Sequence, residues 1–380
     1  MAEALKHRIN PDTVAQASSH LHRVWPGFDR QAFERHALTG LADLELKARA
    51  MQLADALQAT LPPDFVHAAE VIEASLAEPV ALDAAGEPLA LTDAQAHNGL
   101  AGWVVWALGD YVARCGQGHV PRALACLHAL TQRFSAEFAI RPFIAQHPHT
   151  TLAVLHTWLN DPSAHVRRLV SEGSRPRLPW GLRLHALVAD PSPTLPLLLA
   201  LQDDPSAYVR RSVANHLNDI AKDHPDVVAR WVQTHREAAR PERTALLRHA
   251  SRSLIKQGHV PTLQAWGLGQ AFQGAARLSL SSQRVTLGEQ VALQLDVKSH
   301  AAHTQKLVVD YAVHHVRAKG STSPKVFKGW TLELPALATR SLHKLHSLRP
   351  VSTRTLYPGW HRVEVRINGQ TCAESGFMLA

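Results

Sequence analysis

The string DPSAHVRR, beginning at Asp161, returns forty-three residues later as DPSAYVRR, beginning at Asp204, with seven of eight positions identical. Recurrence at this period marks a helical-repeat solenoid of the HEAT type. Each repeat in such a fold buries its apolar face only against its neighbours, which leaves a long concave wall. An apolar segment precedes each copy, LAVLHTWL before the first and LPLLLALQ before the second. Each repeat therefore reads as a helix, a DPSA turn and a second helix carrying an arginine pair. Asp161 and Asp204, each followed by proline, read as N-caps with proline at the first helical position. The weaker copy LLRHASRSLIKQGH puts Arg248 in the place of Arg211, so the repeats run from about Arg122 to His259.

The pattern changes beyond Gly267. From Arg277 onward RLSLSSQRVTL, QVALQLDV, KLVVDYAV and RVEVRI alternate with period two, and Asn368-Gly369 is a hairpin turn signal. The fold predicted is an all-α HEAT-like repeat solenoid over residues 1–265, a linker at 266–274 and a small all-β immunoglobulin-like sandwich over 275–380. Before the repeats, Phe28, Phe33, Leu38, Leu41, Leu44, Leu46, Leu53 and Leu57 mark amphipathic helices. Pro79–Gln95 reads as a loop, and Trp103, Val104 and Trp106 begin a buried helix that reads as packing.

Charge is unevenly spread along the chain. Residues 1–130 hold nine basic and fifteen acidic side chains, residues 131–274 seventeen and eleven, and residues 275–380 fourteen and six. Fifteen of the seventeen bases in the middle third are arginine. Clustered guanidinium groups favour phosphate, because a planar fork pairs with two oxygens at once. The repeat sets Arg167 and Arg168 in register with Arg210 and Arg211. Together with Arg175, Arg177, Lys222 and Arg248 they form the candidate contacts to nucleic-acid phosphate, with a generally basic, solvated surface as the alternative.

Carboxylates interrupt this basic stretch. Arg133, Glu137 and Arg141 are four apart, as are Arg168 and Glu172, and Arg211, Asn215 and Asp219 repeat that spacing. Read as helical stripes, these place a carboxylate on each of three successive helices facing one concave surface; ordinary ion pairs along a helix are the plainer alternative. A polyanion-binding wall has no use for carboxylates unless its target carries local positive charge. An alkylated, cationic base is such a target, and cleavage of its N-glycosidic bond develops further positive charge on the sugar. Carboxylates there stabilise that charge and orient water. Trp180, in EGSRPRLPW, offers a face for stacking on a cation, with helix packing as the alternative.

Other chemistries lack their signatures. The chain has no Walker loop, GxGxxG, GxSxG, CxxC or HExxH, so neither a metal nor a redox cofactor is predicted. His314-His315 reads as partly exposed sandwich surface. The three cysteines, Cys115, Cys126 and Cys372, are scattered, as in a reducing cytoplasm. The N-terminus lacks a signal-peptide pattern, and no apolar run reaches the roughly 18 residues of a membrane span.

The segments TQRFSAEFAIRPFI, HVRRLVSEGSRPRLPW and YVRRSVANHLNDIAKDHP, with INPD and LELKARAMQLADAL nearer the N-terminus, resemble the AlkC family of bacterial DNA glycosylases. That family lies within the AlkC/AlkD superfamily of HEAT-like-repeat alkylation-repair enzymes. The resemblance spans about residues 1–265, and residues 275–380 look like the immunoglobulin-like domain of some AlkC members. It implies a bacterial enzyme that excises 3-methyladenine and 3-methylcytosine from duplex DNA; a cytoplasmic monomer, nucleoid-associated when bound to DNA, is expected, and the absence of a plausible nucleophilic lysine in these motifs argues against a lyase step. It also implies engagement of the lesion by sharp DNA bending without a deep base-flipping pocket. Glu137, Glu172, Trp180 and Asp219 match the family's active-site acids and aromatic, with Asp219 the first choice for stabilising the oxocarbenium. A non-catalytic DNA-structure binder on the same scaffold, or a protein–protein scaffold, would share the repeats without depending on Asp219.

Overall fold

The repeated octapeptide builds the same turn twice. In the computed structural model, which describes residues 5–90, 98–268, 270–318, 320–350 and 355–380, each copy leads into a helix, α9 (Ala164–Gly173) or α12 (Ala207–Ile220). The N-caps are Ser163 and Ser206, not the aspartates predicted. The carboxylates of Asp161 and Asp204 instead accept the backbone N–H two residues on, at 2.8 Å in both copies. This Asx turn keeps the Asp-Pro unit outside the helix. The first arginine of each pair then folds back on its own turn. Arg167 Nη1 donates to the carbonyls of Asp161 and Pro162 at 2.7 and 3.1 Å, and Arg210 Nη1 to those of Asp204 and Pro205 at 2.5 and 2.8 Å. Arg167 also forks onto Asp204, at 2.6 and 3.0 Å, tying one repeat to the next.

By compactness the chain divides into two units, Met1–Asp223 and His224–Ala380. In the first, α1 (Pro11–Val24), α2 (Arg30–Leu38), α3 (Leu46–Thr60) and α4 (Phe65–Ala74) are followed by α5 (Val104–Cys115) and α6 (Val120–Thr131). Then come α7 (Arg141–Gln146), α8 (Pro148–Thr157), α9, α10 (His185–Ala189), α11 (Leu195–Leu201) and α12. Val166, Leu169 and Val170 of α9 and Val209, Val213 and Leu217 of α12 are buried, so the two repeat helices share one core. Gly173 ends α9 against Ile140, where a Cβ would come within 2.5 Å of Ile140 Cγ2. The segment 79–90 is non-helical, as predicted; residues 91–95 of that expected loop lie outside the described residues.

In the second unit, among the described residues, α13 (Pro225–Arg236), α14 (Pro241–Gln257) and α15 (Val260–Ala265) precede eight strands. These are β1 (Gly274–Leu280), β2 (Arg284–Val285), β3 (Gln290–Ser299), β4 (Gln305–Val316), β5 (Thr322–Leu334), β6 (Thr339–Ser347), β7 (Gly359–Ile367) and β8 (Gln370–Leu379). They form two sheets, ordered β1-β3-β6 and β2-β8-β7-β4-β5. The immunoglobulin-like sandwich buries the inward positions of both, including Leu293, Leu295, Val309, Val365 and Phe377. Asn368 and Gly369, both with positive φ, close the two-residue hairpin between β7 and β8. His315 departs from the predicted surface position. It is 4% exposed, with Nδ1 3.2 Å from His361 Nδ1.

Candidate active site

Three prolines shape the site. Pro142, in the first turn of α7, makes Arg141 a helix start. The predicted Arg133–Glu137–Arg141 helical stripe therefore does not form: α6 ends at Thr131, and residues 132–140 cross to α7 as turns. Pro176 and Pro179 likewise keep 174–184 out of regular helix. These two irregular segments, with α9 and the start of α5, wall a cleft of about 580 Å³. Trp103, Trp106, Phe134 and Phe138 form an aromatic wall, with Trp103–Phe134 and Trp106–Phe138 centroids both 5.0 Å apart. The tryptophans read as packing in the sequence thus also line the cleft. Trp180 stands at its edge, 64% exposed, with a left-handed backbone at φ 65°. Its carbonyl accepts from Lys47 Nζ at 3.5 Å.

The polar side is a ladder of alternating charge. Arg168 Nη1 donates to Glu137, and its Nη2 lies 3.5 Å from Glu172 Oε1. Arg175 Nη1 donates to the same Glu172 oxygen at 2.6 Å, while its Nε donates to Asp219 Oδ2 at 2.8 Å. Lys222 Nζ donates to Asp219 Oδ1 at 2.8 Å. The order is Glu137, Arg168, Glu172, Arg175, Asp219, Lys222. Ser212 Oγ adds a 2.6 Å bond to Glu172 and Ser135 Oγ a 2.5 Å bond to Glu137. Burial alone would raise the Glu172 carboxyl, but Arg168 and Arg175 override it and hold the group below its ordinary range. Beneath the ladder His216 donates to the Ser171 carbonyl at 2.9 Å, and burial lowers its pKa to about 4.

Two sequence expectations change here. Asp219 is 1% exposed and does not line the cleft; Glu137 and Glu172 do. The carboxylates therefore do not share one open face, because Asp219 sits one guanidinium behind. Nor do the arginines form a free phosphate grip. Arg167 and Arg210 staple their turns, and half-buried Arg168 and buried Arg175 lie between carboxylates. Arg177 forks onto Asp223 at 2.6 Å, and Arg211 onto Glu87 at 2.6 Å. Arg248 lies 4.9 Å and Arg236 5.9 Å from the Trp266 ring centroid, and neither is ion-paired to a carboxylate among the described residues.

The repeat concealed a further contributor. His165 and Tyr208 occupy the one position at which the two octapeptides differ, and both line the cleft. Arg168 lies over the Tyr208 ring at 5.0 Å, and His165 holds the Val80 carbonyl at 2.8 Å. Departure from the repeat was the available signal. Among the described residues no three His, Cys, Asp or Glu side chains are grouped to hold a metal. None of the described helices is long and apolar enough to cross a membrane.

Residues 134–254 match the family model described as DNA alkylation repair enzyme, and residues 274–380 match the C-terminal Ig-like domain of YhaZ. The YhaZ protein of Bacillus subtilis is 34% identical over 373 residues, 96% of each chain. The structure of the Pseudomonas fluorescens alkylpurine DNA glycosylase AlkC, bound to DNA containing an abasic-site analogue, is 37% identical with a TM-score of 0.87, and the match covers 100% of both chains. The chain belongs to the AlkC family. Its helical region and Ig-like domain follow the AlkC architecture throughout, so the cleft and ladder stand in a fold that in the Pseudomonas protein holds DNA.

Proposed function

We propose that this AlkC-family protein is a monofunctional DNA glycosylase that hydrolyses the N-glycosidic bond of cationic N3-alkylated bases, 3-methyladenine and 3-methylcytosine, in duplex DNA. The carrying observation is the carboxylate ladder along an aromatic-lined cleft. A base alkylated at N3 already bears positive charge and departs without protonation, so the site needs no general acid. Glu172 suits that requirement. Held below its ordinary pKa, it remains an anion at neutral pH and serves as an electrostatic group, not a proton donor. Glu137 and Glu172 face the cleft, where they stabilise the oxocarbenium-like sugar and orient water.

Asp219 acts from behind Arg175. Without its charge the ladder would hold three cations against two carboxylates, and a cationic transition state would be repelled. Trp180 offers its indole to the cationic base or sugar. Lys222 donates into Asp219 and so is not the free amine that a Schiff-base lyase step requires. On this reading the glycosylase domain is residues 1–265, joined by 266–274 to the domain at 275–380, whose basic excess adds to the grip on the duplex. Exposed Arg236 and Arg248 are better placed for phosphate than the arginines of the repeats, which are held by carboxylates or backbone carbonyls.

A single-turnover assay on duplex DNA carrying one 3-methylcytosine, or one 3-methyladenine, tests the reading. Wild type should release the base. Asp219→Asn should slow release by about 10²–10³-fold, the scale of one lost electrostatic stabiliser, here acting through Arg175, while retaining affinity for undamaged DNA. If wild type releases neither base yet binds DNA tightly, the protein is a non-catalytic DNA-structure binder.

A further inference from the structure

Arg141 is a fully buried guanidinium with no carboxylate within ion-pair distance among the described residues. A buried cation without a direct counter-ion is costly to keep. The hydrogen bonds it makes all go to backbone, from Nε and Nη1, while Nη2 is buried without a partner. Nε donates to the Leu182 carbonyl at 2.5 Å, and Nη1 to the carbonyls of Gly173 and Arg175 at 2.8 and 2.7 Å. Those three carbonyls span the irregular segment between α9 and α10, whose prolines deny it a helical hydrogen-bond ladder. Arg175 and Leu182 also bracket Trp180. The indole is largely exposed, so side-chain packing does little to hold it; its place at the cleft is set by the backbone on either side.

We propose that Arg141 is a positioning residue for the excision chemistry: by gripping the 173–182 backbone at three carbonyls it fixes Trp180 at the cleft and Arg175 between Glu172 and Asp219. This role rests on the glycosylase reading, but its geometry can be tested apart from it. A planar fork aims several donors in fixed directions, which an ammonium on a flexible stem does not reproduce. Burial lowers the Arg141 pKa to about 10, still charged at neutral pH, so the grip persists under working conditions. Gly181 touches the same device from the loop side. A Cβ there would meet Arg141 Cδ and Nε, both at 3.2 Å.

The experiment uses full-length protein labelled with 5-fluorotryptophan and observed by ¹⁹F NMR. Nine indole resonances are expected, with that of Trp180 assigned by its loss in Trp180→Phe. In Arg141→Lys and in Gly181→Ala the Trp180 resonance should shift or broaden while the other eight hold. Single-turnover excision by Arg141→Lys should fall about tenfold or more with DNA affinity retained. Adding Trp180→Ala to Arg141→Lys should cost less than the product of the two single effects, because neighbours acting through one another are not additive. An unmoved Trp180 resonance in both variants overturns the proposal, and so does a shift of all nine together, which would make Arg141 a general structural residue. If wild type excises nothing, the glycosylase reading falls, and the NMR comparison still decides whether Arg141 holds Trp180.

Discussion

Replacing Glu172 by glutamine keeps its shape and removes its charge, which makes it a direct probe of the ladder. The carboxylate receives 2.6 Å hydrogen bonds from Arg175 and Ser212 and lies 3.5 Å from Arg168. Its side chain is 7% exposed, so solvent screening is slight. Removing one partner of a buried ion pair costs about 3–5 kcal/mol. Arg168 keeps Glu137 and Arg175 keeps Asp219, so the low end applies, about 3 kcal/mol. For a unit of this size that lowers Tm by roughly 6–12 °C. The pH dependence has a definite sign. Glu172 is depressed in the folded protein from an ordinary value of 4.5. Its stabilisation is therefore complete above that value and is lost as pH falls through the folded pKa. Urea unfolding followed by circular dichroism should show the full penalty at pH 7.5 and a smaller one at pH 4. Ser212→Ala, which removes one hydrogen bond, should cost only about 1 kcal/mol. A Glu172→Gln penalty below about 1 kcal/mol at pH 7.5, or one that does not change with pH, would refute the claim that this carboxylate is buried between two guanidinium groups.

Other perturbations test neighbouring parts of the argument. Gly173→Ala forces a Cβ to within 2.5 Å of Ile140 Cγ2 and should cost about 1–3 kcal/mol in urea unfolding, partly recovered by Ile140→Ala. Burial pushes the Asp110 carboxyl up to about 6, so the folded state binds its proton more tightly and stability falls as pH rises from about 4 to 6. Asp110→Asn should accordingly stabilise the protein by about 1–3 kcal/mol at pH 8 and have little effect at pH 4, in the same unfolding measurement. His216 carries the opposite dependence: lowered to about 4, it favours the folded state when neutral, and that contribution is lost as pH falls from 6.5 towards 4. His216→Gln should flatten the stability profile over that range; an unchanged profile would mean that another group governs it.

What the sequence disclosed was local or periodic. The octapeptide located α9 and α12 because the same seven side chains make the same turn wherever they occur, and Asn368-Gly369 located a hairpin because both residues tolerate positive φ. Glu137 was misplaced on a helix by its spacing alone, although Pro142 marked a helix start beside it. The arginines were misread for a different reason. Whether a guanidinium meets solvent or a carboxylate depends on pairings remote in sequence: Arg175 with Asp219 across 44 residues, and Arg211 with Glu87 across 124. Composition counts such charges but does not pair them.

Those pairings bear on how a protein of a DNA-binding family can carry carboxylates without repelling phosphate. Each acid of the ladder lies against at least one cation, so approaching DNA meets a wall whose buried charges nearly cancel. Cancellation at a distance does not remove the local field. A cation placed in the cleft would lie nearest Glu137 and Glu172, because Asp219 is set behind Arg175 and Lys222 is bonded to it from the far end. The arrangement thus distinguishes a local positive charge from an extended negative one by distance alone. On the glycosylase reading, an alkylated base and a developing oxocarbenium would lie within reach of the front carboxylates, while the phosphate backbone would interact with the ladder as a whole and with exposed arginines such as Arg236 and Arg248. Truncating an exposed arginine should therefore weaken binding to damaged and undamaged DNA alike and reduce its salt dependence, whereas neutralising Glu172 or Asp219 should act on excision and leave that salt dependence unchanged. If Glu172→Gln altered the salt dependence as much as Arg248→Ala does, the ladder would be part of the phosphate-binding surface, and the separation between binding and chemistry drawn from its geometry would be wrong.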